Sequence, residues 1–500
     1  ILSFFLFLSF SLQAAKGGKK ISSDLFGLFF EDINYSADGG LYAEMVQNRS
    51  FEYNPTEQKT WNPFSYWEYV APGFSYGRIN VETTAPIHPN NPHYVVLYIE
   101  HIGHEAKYTG ISGVGIKNSG FEGMVVKAND KYDFSMFARQ LGNEPVAFTI
   151  CLQTLKGKIL AQTTVSVAAS DWKKYSATLI PSANCDTANL VVLATNAGKV
   201  GLDLISLFPE KTFKNRPNGM RADLAQMLAD MKPRFIRFPG GCLAHGDGLG
   251  NMYRWKNTIG PLETRKEQRN IWNYNQTAGL GYYEYFRFCE DIGAKPLPVL
   301  PAAVSCQNSG GTWQVGGTGQ HALPMSEMQE YIQEVLDLIE WANGPVTSVW
   351  GAKRAAAGHP APFNLQYIGI GNEDKITPEF EERFKMIFAA VKAKHPEVTV
   401  VGTVGPAPDG EDFTKGWKLA DDLKVPIVDE HYYTSPEWFI SHQNRYDSYK
   451  RNATEVYLGE YASWGNKLKN AIAEAAYLTM LERNGDVVHM ASYAPLLAKK

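Results

Sequence analysis

The sequence has 500 residues and a formal net charge of −4, enough chain for roughly two to four domains with full cores and without the basic tracts of a nucleic-acid partner. Its 11 Trp and 26 Tyr suit core packing and equally suit carbohydrate, whose C–H faces stack on aromatic rings. The cysteines Cys151, Cys185, Cys242, Cys289 and Cys306 are odd in number and scattered, which excludes a disulfide framework and metal-ligand spacing.

Residues 1–15 are almost wholly apolar and end in Leu12-Gln13-Ala14-Ala15, the pattern of a signal-peptide remnant that is too short for a membrane span. An exported protein with few cysteines fits a periplasmic, extracellular or cell-surface location. Residues 16–53 read as one βα unit: Leu25 to Asp32 is an apolar strand ending in acids, and Leu41 to Asn48 follows with a helical pattern. Residues 54–211 change character. Short runs of period two, such as Tyr94 to Ile99, Tyr132 to Ala138, Val146 to Ile150 and Leu190 to Ala194, predict an inserted β-sandwich or jelly roll.

Residues 212–500 return to βα units. Met220 to Met231 is an amphipathic helix, and Arg234 to Gly241 is a strand closed by a tight turn. Helices are expected over Tyr282 to Asp291, Met325 to Trp341, Pro378 to His395, Trp417 to Leu423, Trp438 to Lys450 and Ala471 to Glu482. Strands near Phe29, Ile236, Pro298, Ile368, Val401, Val428, Leu458 and Met490 make eight. Eight strands alternating with helices predict an α/β fold, a (β/α)8 TIM barrel carrying the all-β insertion. No barrel helix follows the eighth strand before Lys500.

In such a barrel Glu373 ends strand four and Glu460 ends strand seven. A single Glu at a strand end is unremarkable at a surface, but two at Gly-containing strand tips of one barrel favour acid/base chemistry across the mouth. Carboxyl groups roughly 5–5.5 Å apart would retain configuration at a glycosidic carbon. Asn372 offers an amide to a sugar hydroxyl. Arg237, ending strand two, keeps Glu460 ionised by its fixed charge, and Tyr433, ending strand six, donates to it. Proximity to Glu460 and partial burial are expected to raise Glu373 into the range of an acid. In Asp429-Glu430-His431 only alternate side chains share a face, so a hydrogen-bonding role for His431 is favoured over a metal site. Gly240-Gly241-Cys242 lacks the partners of a phosphate loop or an esterase elbow. It reads as a tight turn bringing backbone to a ligand, with Cys242 a packed thiol. Trp464 is available to stack on a sugar or to pack.

Four segments carry a family resemblance: Phe29 to Asn34 with Ala37 to Glu44 and Gln47 to Glu52; Arg237 to Gly241; Gly369 to Glu373; and Gly459-Glu460 with Trp464. With these the chain resembles the α-L-arabinofuranosidases of glycoside hydrolase family 51 from about Ile21 onward. The resemblance implies Glu373 as general acid/base and Glu460 as nucleophile. It implies Glu31, Asn372, Tyr433 and Trp464 as contacts of the sugar, and Arg237 as support for Glu460. Cys242 stands at a sugar-contact position where many members carry Asn. The insertion looks like a carbohydrate-binding jelly roll, and the family carries a C-terminal β-sandwich before which this chain ends. No metal or cofactor is implied. The expected partners are arabinose-containing plant polysaccharides or oligosaccharides, with homo-oligomerisation left open. The alternatives are an endo-glucanase or β-xylosidase on the same barrel, or an inactive polysaccharide-binding protein.

Overall fold

Eight parallel strands close into a barrel in chain order: β1 (Phe26–Phe29), β2 (Phe235–Phe238), β3 (Lys295–Leu300), β4 (Tyr367–Ile370), β5 (Thr399–Thr403), β6 (Ile427–Thr434), β7 (Glu455–Ser463) and β8 (Val488–Tyr493). The computed structural model describes residues 19–104, 110–310, 317–451 and 453–496, so the signal-peptide expectation for residues 1–15 lies outside the described residues. The strands are apolar runs because both faces of a barrel sheet are covered. Phe235, Leu297, Tyr367, Val401, Ile427, Tyr457 and Met490, one from each of β2 to β8, fill the barrel interior. From β1 the contribution is Gly27, where a Cβ would lie 2.4 Å from the Phe235 ring. Each large side chain buried there is worth about 1.5–3 kcal/mol.

Among the described residues, one main helix follows each strand up to the seventh, apart from the inserted sandwich: α1 (Ala222–Asp230), α2 (Tyr282–Ile292), α3 (Met328–Asn343), α4 (Pro378–Lys394), α5 (Glu411–Leu423), α6 (Pro436–Ser441) and α7 (Leu468–Arg483). Their starts follow local chemistry. Thr377 caps α4 by accepting from the Phe380 N–H, with Pro378 in the first turn, and Ser435 does the same for α6 toward Trp438. The helix expected over Trp438 to Lys450 is instead α6 and a separate 3-10 turn, Arg445–Ser448. An unexpected helix, Val349–Ala356, follows α3.

The largest departure concerns Leu41 to Asn48. Its helical pattern does not form an α-helix; after a short irregular turn, Ala37–Leu41, Tyr42 is extended, and residues 47–50 form a turn with Asn48 at φ 54°. Glu44 accepts from the Val46 and Leu207 backbone N–H groups and from the Ser206 hydroxyl. Val46 and Phe51 are buried in the core of the sandwich. Tertiary burial overrides local propensity here. The insertion therefore separates β1 from α1, the first helix of the barrel.

Within the insertion two antiparallel sheets face each other. One runs Lys173–Leu179, Tyr132–Gln140, Gly198–Pro209, Tyr94–His101, Tyr76–Glu82. The other runs Trp67–Val70, Val114–Asn118, Cys185–Ala194, Val146–Gln153, Ile159–Val167, with Met124–Val126 beside Cys185–Ala194. Alternate residues point into one apolar core, as period two requires. No described helix is long and apolar enough to cross a membrane.

Candidate active site

The acidic side chains converge where β2, β4, β6 and β7 end. Beyond Ile370 the chain turns through Gly371 at φ 90°, and Glu373 itself adopts φ 52°. Glu460 is aimed by a bulge. Glu430 pairs with Leu458 and His431 with Glu460, so Gly459 is the extra residue. A Cβ at Gly459 would lie 2.0 Å from Asp429 Oδ1 and 2.6 Å from Arg237 Nη1, so only glycine fits beneath this cluster.

Arg237, fully buried, binds the cluster together. Its Nη1 donates to Asp429 Oδ2 at 2.7 Å, and its Nη2 to Glu460 Oε1 at 3.1 Å and to the Asn372 side-chain oxygen. Tyr433 donates its hydroxyl to Glu460 Oε2 at 2.8 Å. His431 lies between the carboxylates, with Nδ1 2.9 Å from Glu373 Oε1 and 3.8 Å from Glu460 Oε1, and Nε2 3.1 Å from Asp429 Oδ2. One oxygen of Glu373 and one of Glu460 lie within 4.8 Å of each other and of a His431 nitrogen. That is closer than the roughly 6.5–9.5 Å that would admit a water between two carboxyl groups.

Electrostatics follow from this packing. Burial alone would lower His431, but Asp429 and Glu460 push it up to about 10, so it is an imidazolium. Both ring nitrogens face carboxylates, leaving no lone pair for a metal on the one histidine of the Glu373, His431, Glu460 group. Two cations, Arg237 and His431, thus face Asp429, Glu373 and Glu460. Burial opposes the charge on Glu373, yet the His431 N–H holds it below the usual carboxylate range. Burial raises Glu460 against the pull of His431 and Arg237, and nearby Glu373 adds to the rise. The expectation of a raised Glu373 is therefore reversed. The physical reason is His431, which bonds Glu373 rather than Glu460.

The remaining expected residues fall into two groups. Glu31 enters the site: its Oε1 accepts from the backbone N–H groups of Gly241 and Leu243, each at 3.1 Å, and burial with Glu460 pushes it up to about 7. Cys242 is also there, 7% exposed, its Sγ 3.7 Å from Glu373 Oε2. Its thiol, beside Cys306 and buried, is pushed well up and stays neutral, as a packed thiol rather than a nucleophile. Trp464 stands 65% exposed past the end of β7, held by its backbone N–H to Thr434, outside the carboxylate cluster. Sequence reasoning missed Gln307, whose Nε2 donates to Glu373 Oε2 at 3.1 Å. It follows β3 in an irregular loop, where no periodic pattern marks it.

Known proteins resemble this chain over most of its length. Residues 227–451 match the model of an alpha-L-arabinofuranosidase 1 domain, and residues 459–499 that of an alpha-L-arabinofuranosidase C-terminal domain. An extracellular exo-alpha-L-arabinofuranosidase of Streptomyces chartreusis is 42% identical over 98% of this chain and 57% of its own length. Alpha-L-arabinofuranosidase 1 of Arabidopsis thaliana is 34% identical, over 96% of this chain and 67% of its own. An arabinose-bound GH51 α-L-arabinofuranosidase structure superposes with a TM-score of 0.81 at 32% identity, covering 95% of this chain and 75% of that one.

This chain belongs to the α-L-arabinofuranosidases of glycoside hydrolase family 51.

The chain spans little more than half the length of the Streptomyces arabinofuranosidase it matches. The arabinofuranosidase C-terminal model begins at residue 459, so it takes in most of β7, α7 and β8, which close the barrel onto β1. Glu460 thus falls in one family segment and Glu373 in the other. Only closure of the barrel brings the two together.

Proposed function

We propose that this chain carries the catalytic site of a retaining exo-acting α-L-arabinofuranosidase that releases terminal arabinofuranose from arabinoxylan, arabinan or their oligosaccharides. The observation that carries this reading is the Glu373–Glu460 pair, within 4.8 Å through one oxygen each and flanked by Arg237 and Tyr433. Glu460 attacks the anomeric carbon. The bond to the leaving oxygen breaks, and Glu373 gives that oxygen its proton. Water then attacks the glycosyl-enzyme while Glu373 takes a proton from it, and Glu460 is released. Arg237 and Tyr433 donate to the two oxygens of Glu460 and favour its anionic form. Glu31, Asn372 and Cys242 bound the sugar, and exposed Trp464 supplies a stacking face at the rim.

The reaction needs a proton on Glu373. Glu460 is the raised group, and His431 bonds Glu373. Its Nδ1 is 3.8 Å from Glu460. A bound sugar that shifts this N–H toward Glu460 exchanges the two directions and arms Glu373 as the acid.

The extracellular relative supports export of this protein, and the sandwich is read as a polysaccharide-binding accessory. A panel of aryl glycosides tests the assignment. Turnover of the α-L-arabinofuranoside, with β-xyloside and β-glucoside slower by orders of magnitude, is the expected result. Equal or greater turnover of either pyranoside would overturn it, and no turnover of any would leave a binding protein.

A further inference from the structure

One residue after Glu373, Asp374 turns into the protein and is 1% exposed. It faces His245, which is fully buried at the end of the short helix Cys242–His245. His245 Nδ1 lies 2.7 Å from the Val304 carbonyl oxygen, so Nδ1 carries the hydrogen and Nε2 a lone pair. Nε2 is 3.4 Å from Asp374 Oδ1, and neither atom makes a hydrogen bond of full geometry with any group. The second oxygen, Asp374 Oδ2, accepts from the Asn372 backbone N–H at 2.8 Å.

Two facing acceptors repel, so one of them holds a proton. Burial pushes Asp374 well above the carboxylate range, and anionic Glu373 and Asp412 push the same way. Burial pushes His245 down to about 4, against the Val304 carbonyl, Glu373 and the Asn372 backbone, with Arg237 a smaller push in the same direction as burial. The proton belongs on the carboxyl group.

We propose that Asp374 donates its carboxyl proton to His245 Nε2 and that this pair is a positioning device for Glu373. Three loops meet at it, and each carries a group that bears on the Glu373 carboxylate. The loop after β2 holds His245 and Cys242, whose Sγ is 3.7 Å from Glu373 Oε2. The loop after β3 holds Val304 and Gln307, whose Nε2 is 3.1 Å from the same oxygen. The loop after β4 holds Glu373 itself, in a left-handed backbone that a non-glycine residue keeps only under outside restraint. A neutral Asp374 supplies that restraint without setting a second negative charge beside Glu373. The positioning role rests on the reading of Glu373 as the acid/base; the protonation of the pair does not.

Asp374→Asn keeps a donor toward His245 and an acceptor toward Asn372, so it is the conservative replacement. Relative to wild type on an arabinofuranoside with a poor leaving group, Asp374→Ala and His245→Phe should lower kcat by about 30-fold or more, with KM within about twofold and the basic limb of the pH profile displaced. Asp374→Asn should restore kcat to within about threefold and return the wild-type profile. Infrared difference spectra of wild type against Asp374→Asn at neutral pH should show loss of a protonated carboxylic acid. That measurement needs neither turnover nor the alanine variant. Loss of an ionised carboxylate band instead, or an asparagine variant as impaired as the alanine, would overturn the proposal. A wild type inactive on every arabinofuranoside would overturn the assigned reaction, while the infrared band would still decide the proton.

Discussion

His431 donates its Nδ1 hydrogen to Glu373 Oε1 at 2.9 Å, so a buried imidazolium on β6 is paired with the carboxylate that follows β4. Removing that cation should raise both coupled carboxyl groups, because burial would then act with one less opposing charge. For His431→Asn, both limbs of the kcat/KM profile should move to higher pH by about one unit or more. An unshifted profile would show that His431 does not set the protonation of the pair.

Glu460→Ala should abolish turnover and recover it with azide. A small anion fits the space of the lost side chain and attacks from the same face. The product should be the β-configured arabinosyl azide, identified by NMR. Rescue that yields no such product would remove Glu460 as the nucleophile.

Glu373→Ala should harm poor leaving groups far more than good ones. An alkoxide needs the proton, whereas an activated nitrophenolate departs without it. With the activated substrate, glycosylation should survive, the covalent intermediate should accumulate, and the basic limb should flatten. Arabinoxylan oligomers and an activated aryl arabinofuranoside, compared in wild type and variant, give the ratio. Equal losses on both would assign the acid/base role elsewhere.

Arg237→Ala should be costly to the fold itself. It leaves Asp429 and Glu460 buried beside a cavity with one cation fewer. Breaking a buried pair in this way costs about 3–5 kcal/mol. Urea unfolding at neutral pH measures it, and a loss below about 1 kcal/mol would mean that the cluster relaxes or hydrates when Arg237 is removed.

A second, partly buried acid should limit alkaline stability. Glu267, where the barrel meets the insertion, bonds the Ser50 hydroxyl, and burial with nearby Glu52 pushes it up to about 8. Its folded value lies above the unfolded value of about 4.3. Its stabilising contribution is therefore complete below that unfolded value and is lost as pH rises through about 8. Glu267→Gln should flatten the fall of Tm between pH 6 and pH 9. An identical fall in both proteins would show that Glu267 is hydrated or ionised in the fold.

Much of the site is local chemistry and so was legible along the chain. Gly-Asn-Glu and Gly-Glu end apolar runs, and a parallel barrel delivers strand ends to one mouth. From that alone Glu373, Glu460, Arg237 and Tyr433 could be assigned to neighbouring positions, as could the period-two insertion. Tertiary packing decided the rest. Leu41 to Asn48 has a helical pattern but forms no helix, and Val46 with the following Phe51 is buried in the sandwich core instead. Gln307 reaches Glu373 from a loop without periodicity. The order of the two carboxyl groups was misjudged from sequence because it depends on a distance. His431 sits 2.9 Å from one and 3.8 Å from the other. Residue types set which groups titrate, but only the folded geometry sets which of them a buried charge stabilises, since Coulomb energy in a low-dielectric interior changes steeply over such separations.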